Sequence, residues 1–293
     1  MSWGAPLKPR LAIIGVGLMG GSLARALRGA AYVSEILGLD ADPDVLARAQ
    51  ALGIIDRGLT RLEEGVADII VLATPVATLP GLLLDMKAPL RTATVAFDMG
   101  SVKGPVTDAA QKAGLTRFIP CHPMAGAECS GPEAARDDLF AGRVVVLTPE
   151  AHADPQALQA ARSLWEAVGA RIVLAPAQAH DRLVAYTSHL PHLLAFACAD
   201  FLAQQGPDSV ALDFIGTGLR DFLRIAGSDP VMWRDICATN SVFLADALAG
   251  YGQYLIDYGA ALRAGDGVGL HAHFARARAF YETVNEEPAR GKH

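Results

Sequence analysis

His122 directly follows the apolar run Phe118-Ile119-Pro120-Cys121, which reads as a strand with the imidazole at its carboxyl end. A neutral imidazole there can accept a proton or a hydrogen bond from a substrate hydroxyl near neutral pH. A lone histidine is more often structural, so its companions matter. Ser101 lies in the turn Met99-Gly100-Ser101 after another apolar run, and Glu128 lies in the glycine-flanked segment that follows His122. Ser188 and His189 precede Pro191, which removes an N–H from the helix and predicts a kink there. Asp221 and Arg224 are spaced i, i+3 and share one helix face. They read either as a surface ion pair, worth little, or as a carboxylate orienting a guanidinium that clamps a substrate carboxylate. All these residues fall at strand ends or helix breaks, where a cleft between two domains is expected. The pairs His189/His192 and His271/His273 lack an acidic or thiol partner at ligand spacing, so no metal site is expected.

A second chemical signal lies near the start. The apolar run Leu11–Ile14 meets G-x-G-x-x-G at Gly15, Gly17 and Gly20, and a leucine- and alanine-rich stretch follows. In a strand–turn–helix unit Gly15 permits the tight turn, Gly17 lets backbone approach a pyrophosphate, and Gly20 lets helix and strand pack closely. The helix start at Leu18 and Met19 offers unpaired N–H groups to phosphate. A further run, Glu35–Leu39, ends in Asp40, 20 residues after Gly20. A carboxylate there bonds the ribose hydroxyls and repels a 2′-phosphate, so NAD is favoured over NADP. Thr74 and Pro75 end another apolar run and should wall the cofactor.

Strand-like runs alternate with helical stretches up to Leu174, which predicts a mostly parallel, doubly wound α/β sheet. From Ala177 onward the pattern is helical, with helices expected over 177–204 (kinked at Pro191), 218–225, 230–264 and 269–282. The predicted division is therefore 1–176 and 177–293, and the long apolar helices of the second part suggest a dimer core. A net charge of −6 argues against nucleic acid as a partner. No apolar stretch suits a signal core or a membrane span. The four cysteines, none arranged as C-x-x-C, fit reduced thiols in a cytoplasm.

Taken together, the stretches GVGLMGGS (Gly15–Ser22), ATPV (Ala73–Val76), DMGSVK (Asp98–Lys103), HPMAGAECSG (His122–Gly131), SHLPH (Ser188–His192) and DFLRIAGSDPVMWRD (Asp221–Asp235) resemble the prephenate/arogenate dehydrogenase family of tyrosine biosynthesis. The resemblance covers roughly residues 10–285. It implies a Rossmann domain followed by an all-α dimerisation domain. It also implies oxidative decarboxylation, with hydride passing from ring C4 to NAD⁺ and CO₂ leaving from C1. By this resemblance His122 would bond the C4 hydroxyl and help remove its proton, and Ser101 would position His122 and that hydroxyl. Arg224 would bind a substrate carboxylate with Asp221 fixing its geometry, Glu128, Ser188 and His189 would line the pocket, and Trp233 would pack. Prephenate and arogenate differ at the side chain, keto against ammonium. His189 as a cation and Glu128 as an acid pull opposite ways, and prephenate is the expected substrate, with arogenate the alternative.

The chain ends close to its last predicted helix, so neither a fused chorismate mutase nor a separate regulatory domain is expected. Tyrosine, as an inhibitor, would act at the active site. Two rivals stand beside this reading. A hydroxy-acid dehydrogenase would want a lysine on the first helix of the second domain, and 177–204 has none. A dinucleotide-binding protein without turnover would keep the glycines and Asp40 but need neither His122 nor Arg224.

Overall fold

The computed structural model describes residues 8–126, 129–205 and 214–286. Short apolar runs rich in isoleucine, valine and leucine form its centre, as expected for parallel strands buried on both faces. They are β1 (Arg10–Ile14), β2 (Glu35–Leu39), β4 (Ile69–Leu72) and β5 (Val95–Asp98); the two-residue β3 (Arg57–Gly58) adds an edge, and all pair in parallel in the order β3-β2-β1-β4-β5. The connecting helices are α1 (Leu18–Gly29), α2 (Pro43–Ala51), α3 (Leu79–Asp85) and α4 (Lys87–Thr92), and α5 (Gly104–Lys112) follows β5. Two apolar clusters form, one around Leu11, Ile13, Val71 and Phe97, the other around Ala12, Ile70, Leu72 and Ala96. Successive residues of one strand thus face opposite layers, the period-two alternation of a sheet.

The sheet does not continue as one. A second sheet holds β6 (Cys121–Pro123), β7 (Val144–Leu147) and β8 (Arg171–Leu174), with β6 antiparallel to β7 and β7 parallel to β8. Helix α6 (Pro155–Ala167) joins β7 to β8 and buries Trp165 against Phe97 and Phe140, ring centroids 5.5 and 5.3 Å apart. The run Phe118–Cys121 is not the strand predicted. Phe118 makes a single bridge to Ala96, Pro120 has no N–H to offer a ladder, and His122 lies inside β6, opposite Val146.

Beyond β8 the described chain is helical: α7 (Ala177–Val184), a π-helical turn (Ala185–His189), α8 (Leu190–Gln204), α9 (Thr217–Leu223), a 3₁₀ turn (Arg224–Gly227), α10 (Pro230–Thr239), α11 (Ser241–Ala264) and α12 (Gly267–Glu286). The distortion expected at Pro191 is this π turn, which ends two residues before the proline. The proline ring crowds the carbonyl four residues back, Thr187, and the wider turn accommodates it. The helix predicted over 230–264 breaks at Asn240, whose φ of −106° and ψ of 28° leave the helical region.

By packing, the chain divides into two units, one ending at Ser241 and one beginning at Val242. In the second, Gly265 takes a positive φ of 66° and closes the turn between α11 and α12. Tyr258 lies against His273 and Phe274, ring centroids 4.8 and 6.1 Å apart. His271 and His273 both lie within α12. Among the described residues, no helix is long and apolar enough to cross a membrane, and no cluster of histidine, cysteine and acidic residues could hold a metal.

Candidate active site

The glycine loop has the shape its spacing implies. Gly15 sits at φ 92°, and a Cβ there would come within 2.7 Å of the Ala73 carbonyl oxygen. A Cβ on Gly20 would come within 2.2 Å of the Gly15 carbonyl oxygen. A Cβ on Gly17 would meet nothing within 4 Å, so the structure itself does not demand glycine there and leaves an open approach to the backbone. No side chain caps α1 at Gly17, which leaves its first N–H groups, including those of Leu18 and Met19, for an anion. Asp40 ends the adjacent strand; its Oδ2 accepts from the Val16 N–H at 2.9 Å and its Oδ1 from the Asp42 N–H at 3.1 Å. That fixes the carboxylate at the strand end with lone pairs to spare. Thr74, after β4, bonds Thr78 through their hydroxyls at 2.8 Å, and Thr78 donates to the Pro75 carbonyl at 2.8 Å. The residues present thus fit an adenine dinucleotide whose 2′-hydroxyl is free.

The second centre is a buried polar network. His122 is 9% exposed and its Nδ1 lies 2.7 Å from Nε2 of His180, while His180 Nδ1 lies 2.7 Å from Oδ1 of Asp181. Asp181 is held in turn by the start of α5, its Oδ1 accepting from the Lys103 N–H at 2.8 Å and its Oδ2 from the Gly104 N–H at 2.7 Å. Its backbone carbonyl accepts from Asn240 Nδ2 at 2.8 Å, and the same amide nitrogen lies 3.1 Å from His189 Nδ1. Beneath these, the fully buried Lys103 ammonium pairs with Asp98 and donates to the Cys121 carbonyl at 2.7 Å, beside His122 in sequence. Asp98 also accepts from the N–H groups of Cys121 and Gly100, so the buried ion pair is bonded on both sides.

Electrostatics follow from this burial. Loss of water, with His180, Lys103 and His189 nearby, pushes the His122 pKa well below the usual histidine range. Burial pushes His189 down to about 4, despite the nearby Asp181. Both rings are therefore neutral at pH 7, and the cation expected at His189 is absent. The Asn240 amide nitrogen is a donor only, so His189 Nδ1 accepts and its proton sits on Nε2. That Nε2 is buried and has no hydrogen-bond partner among the described residues.

Ser101, half-buried, precedes α5; the bond that orients His122 comes from His180 and not from Ser101. Ser188 lies in the π turn, and its carbonyl accepts from His192 Nδ1 at 2.9 Å. His192 stacks on Trp233 at 3.9 Å, so the tryptophan packs as expected. Asp221 on α9 and Arg224 in the 3₁₀ turn are both exposed. Glu128 lies outside the described residues. The described members of the site all fall in the unit that ends at Ser241. Sequence reasoning missed His180, Asp181, Lys103, Asp98 and Asn240. Their visible signals were slight: Asp98 as an acid ending β5, Lys103 as a cation just before α5, and the adjacent pair His180-Asp181 within α7.

A parallel sheet with a glycine-lined helix start, an acid at the end of β2 and a neutral buried histidine defines a dinucleotide-dependent oxidoreductase of the doubly wound α/β class. The family models agree: the prephenate dehydrogenase nucleotide-binding domain matches residues 23–174, and the prephenate dehydrogenase dimerization domain matches residues 176–276. The chain belongs to the prephenate dehydrogenase family. Cyclohexadienyl dehydrogenase of Zymomonas mobilis is 33% identical over 92% of this chain and 93% of its own length. Prephenate dehydrogenase from A. aeolicus, solved with hydroxyphenyl propionate and NAD⁺, superposes with a TM-score of 0.89 at 32% identity, covering 96% of this chain and 100% of that one. Synechocystis arogenate dehydrogenase superposes with a TM-score of 0.80 at 27% identity, covering 94% and 99%.

Proposed function

We propose that this protein oxidatively decarboxylates prephenate to 4-hydroxyphenylpyruvate, using NAD⁺, as a homodimer in the cytoplasm. The observation that carries the reading is His122, a neutral imidazole tethered through Nδ1 whose Nε2 has no hydrogen-bond partner among the described residues. NAD⁺, when bound, accepts the hydride from ring C4. His122 bonds the C4 hydroxyl through Nε2 and takes its proton as that carbon is oxidised. Departure of CO₂ from C1 aromatises the ring, and the phenol oxygen takes the proton back. The overall reaction releases no proton, so His122 is a temporary holder, and a weakly basic ring suits that task. Aromatisation supplies the driving force; the protein aligns the reacting atoms and handles one proton.

Ser101 bonds the same hydroxyl from the substrate side. Arg224, with Asp221 setting its geometry, bonds a substrate carboxylate, and Ser188 and Glu128 line the pocket. His189 contributes a neutral Nε2–H donor, not a charge. A donor suits a keto oxygen and offers nothing to an ammonium, which supports prephenate over arogenate. Asp40, by repelling a 2′-phosphate, favours NAD over NADP. The free thiols of Cys121, Cys129, Cys198 and Cys237 support a reducing compartment.

The test is His122→Asn. Turnover should fall ~10²–10⁴-fold, the usual contribution of a positioned base, while NADH affinity stays within twofold. Unchanged turnover would remove His122 from the chemistry.

A further inference from the structure

We propose that His180 and Asp181 act as a positioning relay behind His122, fixing which of its ring nitrogens carries the proton and sharing the charge it gains in the reaction. The inference rests on the reading of His122 as the proton acceptor.

The hydrogen-bond directions follow one from the next. Both carboxylate oxygens of Asp181 already accept from backbone N–H groups at the start of α5. A carboxylate accepts and does not donate, so His180 Nδ1, 2.7 Å from Asp181 Oδ1, carries a proton. A neutral ring protonated at Nδ1 leaves Nε2 as an acceptor. His122 Nδ1, 2.7 Å from that atom, must then donate. The lone pair of neutral His122 is thereby confined to Nε2, the nitrogen left for the substrate. The other tautomer of either ring would set two N–H groups or two lone pairs face to face in a buried site, a mismatch that leaves polar groups unsatisfied.

The same chain handles charge. An imidazolium on His122 would be buried near the Lys103 ammonium, with His189 also close by and Asp98 already committed to Lys103. When Nε2 takes the C4 hydroxyl proton, the Nδ1 proton can shift to His180 Nε2. The positive charge then rests on His180, against the Asp181 carboxylate. As the phenol re-forms, both protons move back, so every proton is accounted for and no further reactant is needed. The arrangement follows the logic of an acid-oriented histidine, with a second ring inserted.

The test combines kinetics with ¹⁵N-histidine NMR on the full-length protein saturated with NAD⁺. In the parent, His122 should show Nδ1 protonated and Nε2 bare. In His180→Gln, kcat should fall roughly 100-fold, with KM and the NAD⁺ dissociation constant within twofold. The His122 resonances should then show mixed tautomers. A parent His122 protonated at Nε2 would overturn the proposal even if the variant does not fold. So would a His180→Gln enzyme with parental kcat while His122→Asn is inactive. A His122→Asn enzyme that still turns over would instead remove the base assignment on which the relay stands.

Discussion

His122 and His189 are kept neutral by burial, and that makes acid a structural threat as well as a chemical one. Each has a folded-state pKa below the ordinary value of 6.5. Between the two values the unfolded chain binds more protons than the folded one, so stability rises with pH there and is lost as pH falls. For His189 the window runs from about 6.5 down to about 4. The melting temperature should thus be level above pH 7 and drop steadily from pH 6.5 to 4.5. In His189→Asn that drop should be shallower. A parental melting temperature unchanged down to pH 4.5 would mean that these rings are not buried neutral. The same protonation removes the acceptor at His122, so turnover should fall on the acid side as well.

At the scale of elements, the glycine loop separates shape from function. Gly20 lies where a Cβ would strike backbone, whereas Gly17 faces open space at an ordinary φ of −87°. Gly20→Ala should therefore lower stability or prevent folding, because the helix must move off the strand. Gly17→Ala should melt within a degree or two of the parent yet bind NAD⁺ at least ~10-fold more weakly, since its methyl occupies the phosphate approach. Calorimetry and cofactor titration together check both outcomes. These elements were legible because their signals are local. Gly15, Gly17 and Gly20 lie within six residues, and β1, β2, β4 and β5 are largely apolar runs that lead into Gly15, Asp40, Thr74 or Asp98, whereas the two-residue β3 at Arg57–Gly58 carries no such signal. The network behind His122 was not legible, because His180 lies 58 residues away in α7 and meets the ring on β6 only through tertiary packing. Asp98 and Lys103 read as a strand-end acid and a loop cation, yet the fold buries both. The break at Asn240 was also hidden, since 230–264 keeps helical composition throughout; the asparagine leaves the helix and bonds Asp181 and His189.

At the scale of the whole molecule, the unit beginning at Val242 carries much exposed apolar surface. Its two helices show Ile256, Leu262, Val268 and Phe280 61–85% exposed, more apolar surface than a lone helix pair would leave in water. The proposed homodimer accounts for it, and light scattering should give twice the 30.7 kDa of one chain at micromolar concentration. A Phe280→Glu, Leu262→Glu double variant should shift toward one chain's mass. A monomeric parent would leave those residues unexplained. The reaction itself is measured most directly by the absorbance of reduced nicotinamide formed by the purified protein with NAD⁺ and prephenate, run beside arogenate and beside NADP⁺. Rapid NADH formation with prephenate, weaker with arogenate and weaker again with NADP⁺, is the expected result. No reduction with either acid, by protein shown to bind NADH, would contradict the assignment and leave a dinucleotide-binding protein without turnover.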